Sequence, residues 1–151
     1  MRRALLGALL AACASGGAPN AANPVAAARF APPLGVDLSA MRLTGRGVYV
    51  RDLAVGEGAT ARRGSSVKVR YTAWLADGTP VDSTGVREAP IAFVVGRGKT
   101  IAGWDDGIPG MRVGGRRQLV IPPALAYGRN GSGPIPPNAV LVFAVDLVDA
   151  R

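Results

Sequence analysis

Apolar and polar residues alternate along residues 67–75. Val67, Val69, Tyr71, Ala73 and Leu75 fall on one side, and Lys68, Arg70, Thr72 and Trp74 on the other. Such alternation predicts a strand with one buried face. Asp77-Gly78 follows it as a tight-turn signal. Ile91, Phe93 and Val95 alternate in the same way, and Arg117, Leu119 and Ile121 predict a further strand closed by Pro122-Pro123. Leu141, Phe143, Val145 and Leu147 share one face of a last strand, and Arg46 to Val55 predicts a first one. One segment has a different period. Ile101, Trp104 and Ile108 have helical spacing, with Thr100 placed to cap the helix and Pro109 to stop it. Two helical turns are not stable alone, so Trp104 is expected to pack on the sheet. The predicted architecture is α+β: a twisted antiparallel β-sheet wrapped around one short α-helix.

The N-terminal quarter reads differently. Met1-Arg2-Arg3 precedes an apolar run, Ala4 to Ala12. That run is far short of the ~20 residues a membrane-spanning helix needs and reads as a signal peptide over residues 1–12. It ends Leu10-Ala11-Ala12-Cys13, which resembles the lipobox of bacterial lipoproteins, and Cys13 is the only Cys in the chain. The resemblance implies a lipid on the Cys13 thiol. Residues 13–40, rich in Ala, Pro, Gly and Asn, are expected to form a flexible tether, with Val36-Asp37-Leu38-Ser39 as a short docking or capping element. Residues 41–151 form the folded domain.

Composition narrows the chemistry. With no His and one Cys, zinc sites built from those residues are excluded, as are Ser-His and Cys-His nucleophiles. No metal and no cofactor is expected. The formal charge is +8, or +6 without Arg2 and Arg3, and sixteen of the eighteen basic residues are Arg. They form no long run and no aromatic-studded basic motif, so no nucleic-acid partner is expected. A basic surface at Arg62, Arg63, Arg116 and Arg117 is an alternative interaction feature, suited to anionic membranes or polymers. Gly96-Arg97-Gly98-Lys99-Thr100 resembles part of a phosphate loop, but Phe93 stands where that pattern needs its first Gly. It reads as a turn. Gly56-Glu57-Gly58 has no helix pattern after it and reads as a loop, as does Asn130-Gly131-Ser132. Asp105 and Asp106 read as solvated residues on an exposed helix face.

Five blocks stand in one order: Val69 to Gly78, Val81-Asp82-Ser83-Thr84, Ile101 to Gly107, Ala126-Tyr127-Gly128, and Ile135-Pro136-Pro137-Asn138-Ala139 running into Leu141-Val142-Phe143. Their order and spacing resemble the FK506-binding-protein family of peptidyl-prolyl cis-trans isomerases. The resemblance implies a hollow between sheet and helix, floored by Trp104. Tyr71, Phe93, Tyr127 and Phe143 would line it, with Asp82 at its edge. The Ile101 N–H and the Tyr127 hydroxyl would bind the carbonyls flanking a substrate proline. The loop from Gly128 to Pro137, with Ile135, would overhang the mouth, and Thr100 would border it. Val81 and Ile91 stand where the family usually has Phe. That implies a wider pocket, with macrolide binding weakened. The implied partners are Xaa-Pro segments of exported proteins, met outside the cytoplasm, at the periplasmic face of the outer membrane if the cell has two membranes. A non-catalytic module holding proline-containing segments is the alternative that Val81 and Ile91 motivate.

Overall fold

The computed structural model describes residues 23–85 and 87–151. The predicted signal at 1–12, the proposed lipid site Cys13 and the tether up to residue 22 lie outside the described residues. Among the described residues seven strands form one antiparallel sheet: β1 (Arg42–Leu43), β2 (Tyr49–Ala54), β3 (Ser66–Leu75), β4 (Pro80–Ser83), β5 (Ile91–Val94), β6 (Arg116–Ile121) and β7 (Leu141–Ala150). Their order is β1-β2-β6-β7-β3-β4, with β5 also paired to β3. β3 is long enough to hold both partners on one edge, β5 along Ser66–Val69 and β4 along Thr72–Trp74. The first strand starts later than the alternation implied, at Tyr49, because the turn at 44–47 folds back to pair β1 with β2. The α+β architecture expected from the pattern is the one observed.

Residues directly opposite on antiparallel strands share a face, so the register sorts the sheet into rows. On the inner face Ala73, Phe143, Leu119 and Val50 form one row, and Leu75, Leu141 and Ile121 another. These rows supply much of the main core. The short helix α2 (Ala102–Gly107) lies across that face. Two glycines let it come close. A Cβ at Gly103 would sit 2.5 Å from Ile121, and one at Gly107 would sit 2.9 Å from Leu119.

On the outer face Trp74, Val142, Val120 and Tyr49 form an apolar row. This row explains why β6 and β7 are buried on both sides, which a one-faced alternation does not anticipate. The cover comes from residues 23–41. A turn of helix, α1 (Pro24–Ala27), is capped by the Asn23 side chain at 3.1 and 3.2 Å from the Val25 and Ala26 amides. It drives Val25 into full burial against Val120, Val140 and Val142, and Phe30, Leu34, Val36 and Leu38 pack around it. The Ala31 N–H donates to Ala76 O (2.8 Å) and Gln118 Nε2 donates to Leu34 O (2.8 Å). The part of the predicted tether from residue 23 to 40 is therefore a packed strap. Its Ala and Pro content hid this, because the side chains that do the covering, Val25, Phe30, Leu34, Val36 and Leu38, follow no sustained strand or helix period. The element expected at 36–39 is present: Asp37 accepts from the Ser39 amide and starts a 3-10 turn at Leu38–Ala40.

A chain cut at residue 41 uncovers Val120 and Val142 and strands the Gln118 amide. Fully burying one Val is worth about 1.5 kcal/mol or more. The 41–151 fragment is expected to unfold in urea about 3 kcal/mol more easily than 23–151. Equal midpoints would show that the strap contributes no stability.

Candidate active site

The hollow lies where β3, β7 and α2 meet the loops that join the strands. It has a volume of about 170 Å³. β3 contributes Tyr71 and Ala73, β7 Phe143, β4 Asp82 and β5 Ile91. Thr100, Ile101 and Trp104 come from the entry to α2 and its first turn, and Tyr127 and Ile135 from the β6–β7 loop. Of the residues the sequence nominated, nine meet here. Val81 and Phe93 do not line the hollow. Val81 is half-buried against the main core. Phe93 lies beneath, with its ring 5.5 Å from that of Trp104, so it supports the floor and is not wall. Ala73 is the lining residue that the nomination missed. Its only signal was its place two residues beyond Tyr71 on the same face.

Trp104 is 4% exposed and stands among three rings. Tyr71 meets it edge-on at 4.8 Å, Phe143 at 5.6 Å, and Phe93 is tilted against it. These contacts fix a flat apolar floor. The Trp104 Nε1 and the Thr100 hydroxyl are buried with no hydrogen-bond partner among the described residues. Thr100 does not cap α2, as its position suggested. Ile101 is the residue at the cap, and no side chain bonds there.

Charged side chains secure α2 in place of a cap. Asp105 is buried and accepts from the Gly96 amide (2.7 Å) and the Gly98 amide (3.1 Å). Asp106 accepts from the Thr44 hydroxyl and pairs with Arg63 at 3.6 Å. Neither lies on a solvated face, because loops 44–47 and 95–100 close over the helix from both sides. The phosphate-like loop is a turn, and its amides serve Asp105. At the far end Arg117, 5% exposed, forms a two-pronged pair with Asp52 at 2.7 and 3.3 Å. Its remaining donors reach Gly107 O (2.9 Å) and Pro109 O (3.1 Å). Arg117 is thus internal, not part of the basic surface expected from Arg62, Arg63, Arg116 and Arg117. The register turns it inward beside Val145. Gly56 is equally structural, since a Cβ there would sit 2.3 Å from Val113 O.

At the rim the Tyr71 hydroxyl donates to Asp82 Oδ2, and Asp82 Oδ1 accepts from the Ser83 amide (2.8 Å). Burial pushes the Tyr71 phenol well above its ordinary value, and the bond to Asp82 pushes further the same way. Tyr127 is also raised, by burial and then by the Asp82 charge. Both phenols therefore stay protonated, as hydrogen-bond donors. The Ile101 N–H and the Tyr127 hydroxyl have no partner among the described residues. The β6–β7 loop is braced by paired bonds between Ser132 and Ile135 (both 2.9 Å) and by the Asn138 amide on Gly128 O (2.8 Å). An apolar cup with two unengaged donors at its edge can hold a short peptide, and it carries no group arranged as a nucleophile.

The family model described as FKBP-type peptidyl-prolyl cis-trans isomerase matches residues 57–148. The chain belongs to that family. It is 44% identical over 103 residues to an FK506-binding protein of Neisseria meningitidis serogroup B, covering 68% of this chain and 94% of that one. Among solved structures, the crystal structure of AtFKBP13 superposes with a TM-score of 0.67 at 37% identity, over 74% of this chain and 98% of that one. FkpA from Escherichia coli gives 0.67 at 35% identity over 74% of this chain, which spans 52% of that longer protein. The chain is an FKBP-type peptidyl-prolyl cis-trans isomerase, and its substrates are proline-containing peptide segments. The reaction suits the site. Rotation about an Xaa-Pro bond meets a barrier of about 18–20 kcal/mol, set by amide resonance. No covalent intermediate is needed to lower it. An apolar cup replaces the water that favours the planar, more polar amide, and every ~1.4 kcal/mol gained at the twisted state is worth about tenfold in rate.

The raised phenol of the isomerase's Tyr71 has a consequence for stability. A group whose pKa rises on folding stabilises the fold below its unfolded value and loses that contribution as pH climbs through the folded value. The stability of the wild-type chain relative to Tyr71→Phe is expected to fall above about pH 10, where an unfolded tyrosine ionises. Thermal melts from neutral to strongly alkaline pH measure this, and a constant difference across that range would contradict the raised value.

Proposed function

We propose that this isomerase speeds the folding of exported proteins while held at a membrane surface outside the cytoplasm by lipid on Cys13. Uncatalysed proline isomerisation takes tens of seconds or more, and a chain that folds after export gains from an isomerase stationed where it emerges. The support is the Leu10-Ala11-Ala12-Cys13 sequence behind a basic start and a short apolar run. Ala14, which is not Asp, favours the outer membrane in a cell with two membranes, by the sorting rule of the lipoprotein resemblance.

Within the hollow the geometry supports the following roles. The proline ring sits on Trp104, walled by Tyr71, Phe143 and Ile91. The Ile101 N–H and the Tyr127 hydroxyl hold the flanking carbonyls, with strongest contact in the twisted state, which is differential binding. Asp82 orients Tyr71 and moves no proton. The observation that carries this reading is the pair of unengaged donors above a buried aromatic floor. Because Ile91 offers an aliphatic wall, macrolide binding at the same hollow is proposed to be weak.

Cis-to-trans rates on short Xaa-Pro peptides test the site. The folded wild-type chain should accelerate isomerisation, and Tyr127→Phe combined with Asp82→Ala should lower kcat/KM about tenfold or more, the loss of roughly 1.4 kcal/mol or more. An unchanged rate in the double variant would remove both residues from the mechanism. Fatty-acid labelling in a bacterial host tests the anchor. Label is expected on the wild-type chain and none on Cys13→Ser, whereas an unlabelled wild-type chain would end the lipoprotein reading.

A further inference from the structure

Below the strap, the outer face of the sheet is open. The row nearest the strap, Thr72, Ala144, Gln118 and Arg51, is partly covered. The next row is Arg70, Asp146 and Arg116, and beyond it Lys68 faces Asp149. Four cations thus share a face with two carboxylates. Arg116 is paired with Asp146 only at 4.0 Å, and Asp149 is engaged by Arg151 at 3.3 Å. Among the described residues Arg51, Lys68 and Arg70 have no carboxylate within ion-pair distance. Arg51 and Arg70 each donate to a carbonyl, of Gly35 (2.9 Å) and Glu88 (3.4 Å), and a carbonyl carries no charge to neutralise theirs; Asp37 feels the Arg51 charge only from beyond ion-pair distance. Between the strap and this band lies a hollow of about 390 Å³ whose lining includes Pro33, Leu34, Leu53, Trp74 and Arg116. Leu53 is 46% exposed there. Cations beside an apolar recess are the composition of a surface that works at a lipid–water boundary.

The chain also arrives on this face. Asn23 is bonded to the Tyr49 hydroxyl at 3.2 Å, and Val25 is buried in the apolar row next to it. Cys13 lies ten residues upstream, a distance of at most about 36 Å fully extended. We infer that the open outer face, through Arg51, Lys68, Arg70 and Arg116, docks on an anionic phospholipid leaflet. The inner-face hollow then opens away from the bilayer toward substrate. The orientation rests on the proposed anchor, whereas the lipid contact belongs to the face itself and is tested without the anchor.

The experiment uses the full chain carrying Cys13→Ser, which cannot be acylated at that residue. Binding is measured to vesicles of phosphatidylcholine alone and with added phosphatidylglycerol. Lys68→Glu with Arg116→Glu is compared with Arg62→Glu and Arg97→Glu. The second pair changes the net charge equally, but sits on loops 61–65 and 95–98, on the α2 side of the sheet, joined by the Gly64 amide on Val95 O (2.8 Å). A basic side chain near an anionic leaflet is worth roughly fivefold in partitioning. The outer-face pair should therefore weaken binding to the phosphatidylglycerol vesicles at least tenfold, the other pair much less. Binding should fade with added salt, and peptide isomerisation should be unchanged in both, which shows that each variant folds. Equal weakening by both pairs, or binding indifferent to phosphatidylglycerol, would overturn the proposal. Loss of the Cys13 label alone would remove the anchor and leave this contact standing.

Discussion

Everything at the site depends on how a six-residue helix is kept against the sheet. α2 is too short to be stable alone and has no side-chain cap. It is held by contact and charge. Gly103 and Gly107 admit Ile121 and Leu119 at distances no other residue would allow. Asp105 ties its first turn to the loop that delivers Thr100 and Ile101, and Arg117 ties its last carbonyls to β2. Trp104 is placed by those four attachments, and the floor of the hollow is placed by Trp104. Removing Arg117 would leave the Gly107 and Pro109 carbonyls without their donor, at about 1 kcal/mol or more for each buried group, so charge and floor stand together.

The two faces of the sheet divide the work. The inner face supplies rings and aliphatic rows, and what remains uncovered among them is the hollow. The outer face begins with an apolar row that would be exposed if the domain started at β1, and the strap covers it. The same strap fixes where the upstream chain joins the domain. Candidate cup and point of entry are thereby held on opposite sides of one layer.

Polar groups around the hollow are arranged to stay neutral or to donate. Burial and Asp82 keep the two phenols protonated, and the Ile101 amide is unengaged because α2 begins just beyond it. Such donors suit a reaction that breaks amide resonance and transfers no proton. The lack of His in the chain costs this chemistry nothing.

Much of this was legible in the sequence. Alternation located the long strands, because a sheet with one buried face must repeat every second residue. Five motif blocks in order contained seven of the nominated lining residues, because local spacing keeps Ile101 with Trp104 on one short helix, and the resemblance they carried added Ile91 and Thr100. What spacing could not reveal was anything decided across strands. Asp105 looks like a solvent-facing charge in sequence, yet loop closure makes it internal, and Arg117, which alternates with Leu119 and Ile121 but was read as basic surface, is kept inside by its partners Asp52, Gly107 and Pro109. Phe93 alternates as wall and serves as support, because pairing with β3 sets it under Trp104. Residues 23–40 look like a tether because Ala and Pro dominate them and their five larger apolar residues follow no sustained period. Only the tertiary structure shows the exposed apolar row they must cover, since burial is a property of the partner surface and not of the segment that meets it.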